Sequence, residues 1–241
     1  MLSQRHWAQI HANQRREIER LVTDRASTER LALLPEYACV GRWLPPSGGG
    51  RVLELGCGPG RFVAMLAQLG YTVVGADPCK PGSFPTWSLV EPLPGVSFCG
   101  EVWAERLPFR DDSFDHVACL GALLYFDDPP KALAEIRRVM RPGGRLIVRT
   151  VNKDNFYTRF TGKKLDPASH NLYTQQELAE FIRASGFRVA ESFAFGFWPP
   201  FYADYYWYLV NTLITPRLQR VLSALTPPSR RVNVTVFATR E

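Results

Sequence analysis

The sequence predicts an α/β fold, with a largely parallel sheet covered by helices on both faces. Short apolar runs with strand character alternate with helical segments between residues 51 and 151, which is the pattern of βαβ units. A glycine-rich turn joins the first of these runs directly to the helix that follows it, a place where a tight, open backbone is needed. The composition is that of a folded globule, at 241 residues, 46% hydrophobic and 22% charged. Wholesale disorder and fibrous structure are excluded, and the length suits one large domain with a sizeable core.

Residues 4–33 read as a helix, because Trp7, Ile10, Gln14, Ile18 and Leu21 recur at helical spacing. A second helix over about 36–44 ends at Leu44-Pro45-Pro46 and a Ser-Gly-Gly-Gly turn. Arg51–Leu55 is a strand, 60–69 a helix, and Thr72–Ala76 a strand followed by a Pro/Gly-rich stretch to 95. Short strands follow at 96–100 and 115–121, then a helix over about 129–140 that Pro142-Gly143-Gly144 breaks, then a strand at 145–151. Thr174 and Glu177 form a capping box for a helix with a Leu178, Phe181, Ile182 stripe, and Gly186 follows its last turn. Phe187–Phe195 and the alternating Val232, Val234 and Val236 are the last two strands. A long insert separates them, so a hairpin-like antiparallel edge is expected.

Charge is spread unevenly. The chain carries 29 Lys and Arg against 23 Asp and Glu, a formal +6. The excess is +2 over 1–50 (7 basic, 5 acidic), 0 over 51–150 (11 and 11) and +4 over 151–241 (11 and 7). No run of like charge exceeds two residues, which is sparse for tracking phosphates and argues against a nucleic-acid partner. The five cysteines are odd in number and include no CxxC, which argues against a disulfide framework or a zinc ribbon and for a reduced, cytoplasmic protein. The first twenty residues lack the apolar core of a signal peptide, and no 18-residue apolar run offers a membrane span.

The sharpest local feature is Glu54-Leu55-Gly56-Cys57-Gly58-Pro59-Gly60, directly after a strand and opening a helix. Its G-x-G-x-G spacing is not the G-x-G-x-x-G of a dinucleotide site, since Arg61 holds the last position. A phosphate-binding P-loop is excluded too, because no Gly-Lys-Ser/Thr follows. Seventeen residues beyond Gly60, Asp77 ends the second strand, where a carboxylate can accept hydrogen bonds from both hydroxyls of a ribose. Alone, such a glycine cluster is a tight turn and such an aspartate a cap; in this order they point to a ligand.

VLELGCGPGRF, VVGAD, LPFRDDSFD (107–115) and EIRRVMRPGGRLIV (135–148) resemble successive motifs of the class I S-adenosylmethionine-dependent methyltransferases, in the branch that methylates small molecules. The resemblance covers about residues 50–151 and resumes at 171–193. It implies a Rossmann-like seven-stranded, mostly parallel sheet with an antiparallel final strand, N-terminal helices and a helical insert before the last strand. It also implies S-adenosyl-L-methionine as cofactor and no metal. Carried onto this sequence, Glu54, Gly56, Cys57, Gly58 and Gly60 shape the methionine end, Asp77 holds the ribose hydroxyls and Pro78 lies against the adenine. The backbone around Leu120 meets the cofactor's amino group, and Trp103 and Ala104 stand in the adenine segment.

Two departures touch the expected site. The family's Asp-Ala-x-x-Leu-Pro-Phe run has Trp103 in place of its Asp, so either Glu101 substitutes after a small shift or the backbone near Trp103 reads the adenine while the indole packs on it. A His that commonly follows the fourth strand is replaced by Tyr125, a poor base near neutral pH. Methyl transfer from a sulfonium needs mainly alignment and exclusion of water, with a base only for a protonated acceptor. The catalytic residue stays unassigned, with His170 and Tyr125 as candidates; His6, His11 and His116 read as structural or exposed. Pro78-Cys79 and Asp128-Pro129-Pro130 imitate motifs of nucleic-acid methyltransferases at the wrong places. The second is better explained as a helix start.

Nine of the fourteen residues 195–208 are aromatic. Phe201, Tyr205, Tyr208 and Leu209 share one helical face, and Thr215-Pro216 starts a second helix striped by Leu218, Val221, Leu222 and Leu225. The insert reads as a packed cap, as a ring-lined lid over an apolar or aromatic acceptor, or, over 197–225, as a peripheral membrane contact. One methyltransferase domain is expected, with an N-terminal helical lid at 1–48, a cofactor core at 49–195, the insert at 196–230 and the last strand at 231–241. The expected function is methyl transfer to a small acceptor such as a phenol, quinone or lipid-like molecule. The alternative is a non-catalytic cofactor-binding or scaffold subunit.

Overall fold

Two helices, α1 (Gln4–Thr23) and α2 (Pro35–Trp43), precede β1 (Arg51–Leu55), α3 (Arg61–Gln68), β2 (Thr72–Ala76), α4 (Trp87–Val90) and β3 (Val96–Cys99). The chain continues as β4 (Phe114–Leu120), a 3-10 turn at Leu123–Tyr125, α5 (Pro129–Val139), β5 (Met140–Val151), α6 (Phe156–Thr161) and α7 (Gln175–Ala184). It closes with β6 (Phe187–Phe195), α8 (Pro216–Leu225), a 3-10 turn at Pro228–Arg230 and β7 (Asn233–Arg240). The structure, a computed structural model, describes residues 4–23, 35–44, 49–196 and 216–241. The predicted first helix is therefore described as far as Thr23. The ring face of Phe201, Tyr205, Tyr208 and Leu209 lies outside the described residues.

The seven strands form one sheet in the order β3-β2-β1-β4-β5-β7-β6. The pairings from β3 across to β5 are parallel, and β7 is antiparallel to both its neighbours. The last two strands thus form the predicted antiparallel edge, with β7 on the inside and β6 at the rim. Burial explains the order. Val234, Val236 and Ala238 of β7 are wholly buried, whereas β6 is half-exposed along most of its length and tolerates the rim better.

Alternation along each strand sends side chains to two separate cores. Leu53 and Leu55 of β1, Val117 and Cys119 of β4, and Leu146 and Val148 of β5 join the core under α5 and α7. Val52, Ala118, Leu120 and Ile147 join the core under α1, α2 and α3, with Ile18, Leu21, Val40 and Leu66. The two N-terminal helices are pinned there. Gln68 Nε2 donates to the Leu21 carbonyl at 3.1 Å, Trp43 stacks on Phe237 with centroids 5.0 Å apart, and Arg42 pairs with Glu191 of β6 at 2.5 Å.

Two short helices were not predicted. Helix α4 forms in the Pro/Gly-rich stretch because Trp87 and Val90 are buried there, a tertiary reward that local composition hides. Helix α6 is set by Asn155, whose side chain caps Thr158 N at 2.9 Å. Strand β5 also starts earlier than expected. Pro142-Gly143-Gly144 runs on within the strand, with a register irregularity opposite Phe114 and His116. A Cβ on Gly144 would lie 2.6 Å from the Asp115 carbonyl, so glycine serves close approach of two strands there. The Thr174–Glu177 capping box is present, and Asp128 caps α5 through Lys131 N at 3.1 Å. Among the described residues no helix is long and apolar enough to cross a membrane, no group of acidic, His or Cys side chains could hold a metal ion, and no two cysteines are joined by a disulfide.

One arginine ties the segment after β3 to α5. Arg138 donates to both oxygens of Glu135 at 2.7 and 2.8 Å, to Asp111 at 2.7 Å, and to the carbonyls of Phe109 and Leu107 at 2.8 and 3.0 Å. Glu135 in turn accepts from Leu107 N at 2.8 Å. The carboxylates hold the guanidinium firmly protonated, and Arg138 holds the Glu135 carboxyl below its usual range. Arg138→Ala is expected to lower unfolding free energy by about 2 kcal/mol, a fall in Tm of about 4–8 °C for a chain of this size. Arg138→Lys, without the planar fork, should recover less than half of the loss. A wild-type melt for Arg138→Ala would remove this clamp from the account.

Candidate cofactor site

At the end of β1 the chain turns back on itself. Gly56 N and Cys57 N both donate to the Ala76 carbonyl, at 2.8 and 3.1 Å, which fastens the turn to the end of β2. Gly56, Gly58 and Gly60 have φ of 72°, 50° and 88°, a region that side chains disfavour. Their surroundings differ. A Cβ on Gly56 would lie 2.2 Å from Ala122 Cβ and one on Gly60 would lie 2.9 Å from the Phe98 ring, whereas one on Gly58 would meet nothing within 4 Å. The outer two glycines serve the fold, and the middle one borders open space. The loop's carbonyls are satisfied from α4: Trp87 Nε1 donates to Gly58 O at 2.8 Å and Thr86 Oγ1 to Pro59 O at 2.7 Å.

Asp77 sits where the loop and the end of β2 meet. One carboxylate oxygen accepts from Gly58 N at 2.9 Å and the other from Cys79 N at 3.0 Å. Its backbone is fixed as well: Asp77 N donates to Cys99 O and Val102 N donates to Asp77 O, both at 3.1 Å. Each carboxylate oxygen keeps further acceptor capacity for a ligand hydroxyl. Pro78 next to it is exposed.

Glu54 is 2% exposed on the α3 side of β1. Burial pushes its carboxyl up to about 8, against the lowering effect of Arg61, Arg149 and the Val63 amide, so at neutral pH it mainly keeps its proton. Its Oε2 has no hydrogen-bond partner among the described residues. A wholly buried, half-satisfied carboxyl is costly in a fold and marks a place where a ligand can contribute the missing group.

The remaining predicted residues separate into those whose side chains face outward and those that offer only backbone. Trp103 is 53% exposed, on a turn closed by Arg106 N to Trp103 O at 3.1 Å. It stands one residue beyond Val102, which is bonded to Asp77, so the indole belongs to the same corner of the fold. Glu101 holds a φ of 57° and its amide is used by Cys79 O at 3.0 Å. Ala104, Cys57 and Leu120 are buried in the two cores; burial first of all keeps the Cys57 thiol protonated.

Tyr125 and His170 come together through the loop before α7. The Tyr125 hydroxyl donates to the Asp166 carboxylate, and burial together with that neighbour raises the phenol well above its usual range. Tyr125 therefore keeps its proton and serves as a donor. His170 Nε2 lies 2.9 Å from Phe126 O and Nδ1 3.3 Å from Ala168 O. With its ring nitrogens beside these two carbonyls, the imidazole is tied to its own loop. His170 N and Asn171 N add bonds to Leu124 O at 3.1 and 3.2 Å. His116 lies at the other end of β4, where Nδ1 accepts from Arg145 N at 3.2 Å and burial lowers its pKa. His6 and His11 have side chains outside the described residues.

Three residues around the site carry no mark in the motif reading. Trp87 and Thr86, which hold the glycine loop, lie in a stretch that reads as turn. Asp166 lies in an unpatterned loop. Arg149 did leave a signal, a charge inside the apolar strand Leu146-Ile147-Val148, since such residues are seldom buried without a purpose.

The glycine geometry separates fold from ligand space. Gly56→Ala is expected to cost several kcal/mol, about 1 for the backbone conformation and the rest from the overlap with Ala122. Gly58→Ala should cost only about 1 kcal/mol and melt nearly as wild type. Urea unfolding of the two variants checks this; equal losses would contradict it.

Comparison with known proteins agrees with this geometry. A family described as "Methyltransferase domain" matches residues 53–148. The chain is similar to an uncharacterized methyltransferase of Mycobacterium tuberculosis, 38% identical over 104 residues, 43% of this chain and 41% of the relative. It is also similar to an O-methyltransferase of Aspergillus sclerotiorum, 30% identical over 161 residues, 63% of this chain and 60% of the relative. The matches thus span between 41% and 60% of these curated relatives. Among solved structures, a SAM-dependent methyltransferase of Thermotoga maritima described as a possible histamine N-methyltransferase is 25% identical, with TM-score 0.59 over 94% of this chain and 99% of that one. The motifs, strands β1 to β5 and the family match coincide on one stretch: residues 53–148 match a methyltransferase domain, in a fold shared with S-adenosylmethionine-dependent methyltransferases.

Proposed function

We propose that this protein transfers a methyl group from S-adenosyl-L-methionine to a small apolar or aromatic acceptor such as a phenol, a quinone or a lipid-like molecule. The observation that carries this reading is the Asp77 carboxylate, held from both sides by Gly58 N and Cys79 N at the rim of the space that Gly58 leaves open. In this reading Asp77 takes the ribose hydroxyls and exposed Pro78 and Trp103 flank the adenine. The backbones of Gly56, Cys57, Gly58, Gly60, Ala104 and Leu120 line the cleft, and Glu54 faces the methionine end. The residues fit such a ligand: a polar floor with an orphaned oxygen, a diol acceptor, and an exposed ring on a braced turn.

The cofactor brings a methyl group on a sulfonium, already activated for displacement. What the chain then has to do is align the acceptor and keep water out. Tyr125, protonated and anchored by Asp166, offers a hydroxyl at the end of β4 that orients a polar acceptor atom. The loop stapled by His170 and Asn171 forms a wall beside it. The small-acceptor reading is supported by the similarity to an O-methyltransferase and by the ring-rich sequence at 195–208, which suits an apolar ligand. The rival is a cofactor-binding subunit without turnover.

Calorimetry with S-adenosylhomocysteine tests the premise. Wild type should bind, Asp77→Asn should bind at least about tenfold more weakly, and Asp77→Ala about a hundredfold, with melts recorded because Asp77 also braces two turns. Affinity unchanged in Asp77→Ala would sink the site assignment. Turnover of labelled cofactor against phenols, quinones and lipid extracts then separates enzyme from scaffold: binding without any turnover favours the rival.

A further inference from the structure

We propose that the outward side of α6 and the C-terminal end of α8 form a surface that docks on an anionic phospholipid membrane. The proposal goes beyond the cofactor reading and does not depend on which acceptor is methylated. Helix α6 buries none of its residues, so it lacks the core-facing stripe of an ordinary surface helix. Its two phenylalanines, Phe156 and Phe160, stack with centroids 6.3 Å apart, and Phe160 is 68% exposed. Arg159 shares their side of the helix at i+3, and Lys163 follows Gly162, which ends α6 at φ 69°. Both cations are exposed, and no described acid pairs with either.

Helix α8 adds aliphatic side chains. Val221 is 54% and Leu225 77% exposed, and their spacing of four places them on one face. Both helices are fastened to the same end of the sheet, where Val151 at the end of β5 pairs with Asn233 at the start of β7. Asn152 Nδ2 donates to Ser229 O at 3.0 Å and to Arg231 O at 2.8 Å, and Arg230 Nη1 donates to Asp154 O at 3.2 Å. The turn that follows α8 is thus bonded to the residues that lead into α6.

The chemistry of this end selects its partner. Exposed apolar side chains gathered on neighbouring elements mark an interaction surface, and rings and aliphatic tips beside cations suit the boundary between lipid headgroups and acyl chains. The acids nearby are already engaged. Asp154 lies 3.9 Å from Arg230, and Asp166 accepts from the Tyr125 hydroxyl and from Ala168 N at 2.8 Å. The charge left over is positive and complements an anionic leaflet. A single-stranded nucleic acid would use the rings and the cations but offers nothing to Val221 and Leu225, which acyl chains match.

Flotation of the full chain with vesicles of phosphatidylcholine, alone or with about one quarter phosphatidylglycerol, tests this. Wild type should partition at least about tenfold better onto the anionic vesicles. Phe160→Ser should weaken that partitioning about tenfold and Leu225→Ser at least about fivefold, with melts like wild type because both side chains are exposed. Arg159→Gln combined with Lys163→Gln should remove most of the preference for the anionic vesicles, at about fivefold for each charge. Arg183→Gln combined with Arg188→Gln, which removes two exposed cations at the other end of β6, should change partitioning less than about twofold. Wild type that floats with neither vesicle, Phe160→Ser and Leu225→Ser that float as wild type does, or an equal loss in the Arg183 and Arg188 pair would overturn the proposal. So would a lipid-free dimer in light scattering that Phe160→Ser turns into a monomer, since the surface would then belong to a second copy.

Discussion

The carboxylate of Asp77 is the constraint on which the candidate site is built. It bonds Gly58 N on the turn after β1 and Cys79 N on the turn after β2, while its own backbone is bonded to Cys99 at the end of β3 and to Val102 before Trp103. The turn after β1, the turn after β2 and the stretch from the end of β3 to Trp103 are therefore indexed to one residue. Hydrogen bonds to a charged group contribute about 1.5–3 kcal/mol each, enough to hold two glycine-containing turns that have little intrinsic order of their own. The same oxygens that brace the turns remain able to accept from a ligand, so the corner is organised before any ligand arrives, which limits the ordering cost of binding.

Around this corner, packing and charge divide the labour. The outer glycines let the loop press against Ala122 and Phe98, and Trp87, stacked on Phe98 with centroids 4.6 Å apart, holds the loop's carbonyl from behind. Arg138 does the same for the segment after Trp103, through Glu135, Asp111 and two carbonyls. The motif residues 107–115 and 135–148 thus act together in space: one supplies carbonyls, the other the arginine that gathers them. The floor is different in character, with buried Glu54 and Arg149 set between apolar layers where electrostatic interactions are strong.

Much of this was legible in the sequence because the physics is local. Glycines at fixed spacing after a strand, an acid at the end of the next strand, Thr174 and Glu177 around a helix start, and Asp128 before two prolines each encode their geometry within a few residues. What escaped depends on contacts made across the chain. Helix α4 exists because Trp87 finds Phe98 and Gly58. Strand β7 enters the sheet because Val234, Val236 and Ala238 need burial on a central strand, and the alternation of valines cannot say between which neighbours. Tyr125 and His170 were readable as candidate side chains, yet their hydrogen-bond partners Asp166 and the Phe126 carbonyl lie far along the chain. Arg149 was visible as a charge in an apolar strand, but its neighbours Leu120, Glu54 and Phe62 come from three other elements.

A crystal structure of the protein with S-adenosylhomocysteine tests the role of Asp77 most directly. Both ribose hydroxyls are expected within about 3 Å of the Asp77 carboxylate oxygens, with the bonds from Gly58 N and Cys79 N retained. A ribose held elsewhere, or an Asp77 that releases either turn on binding, would contradict it.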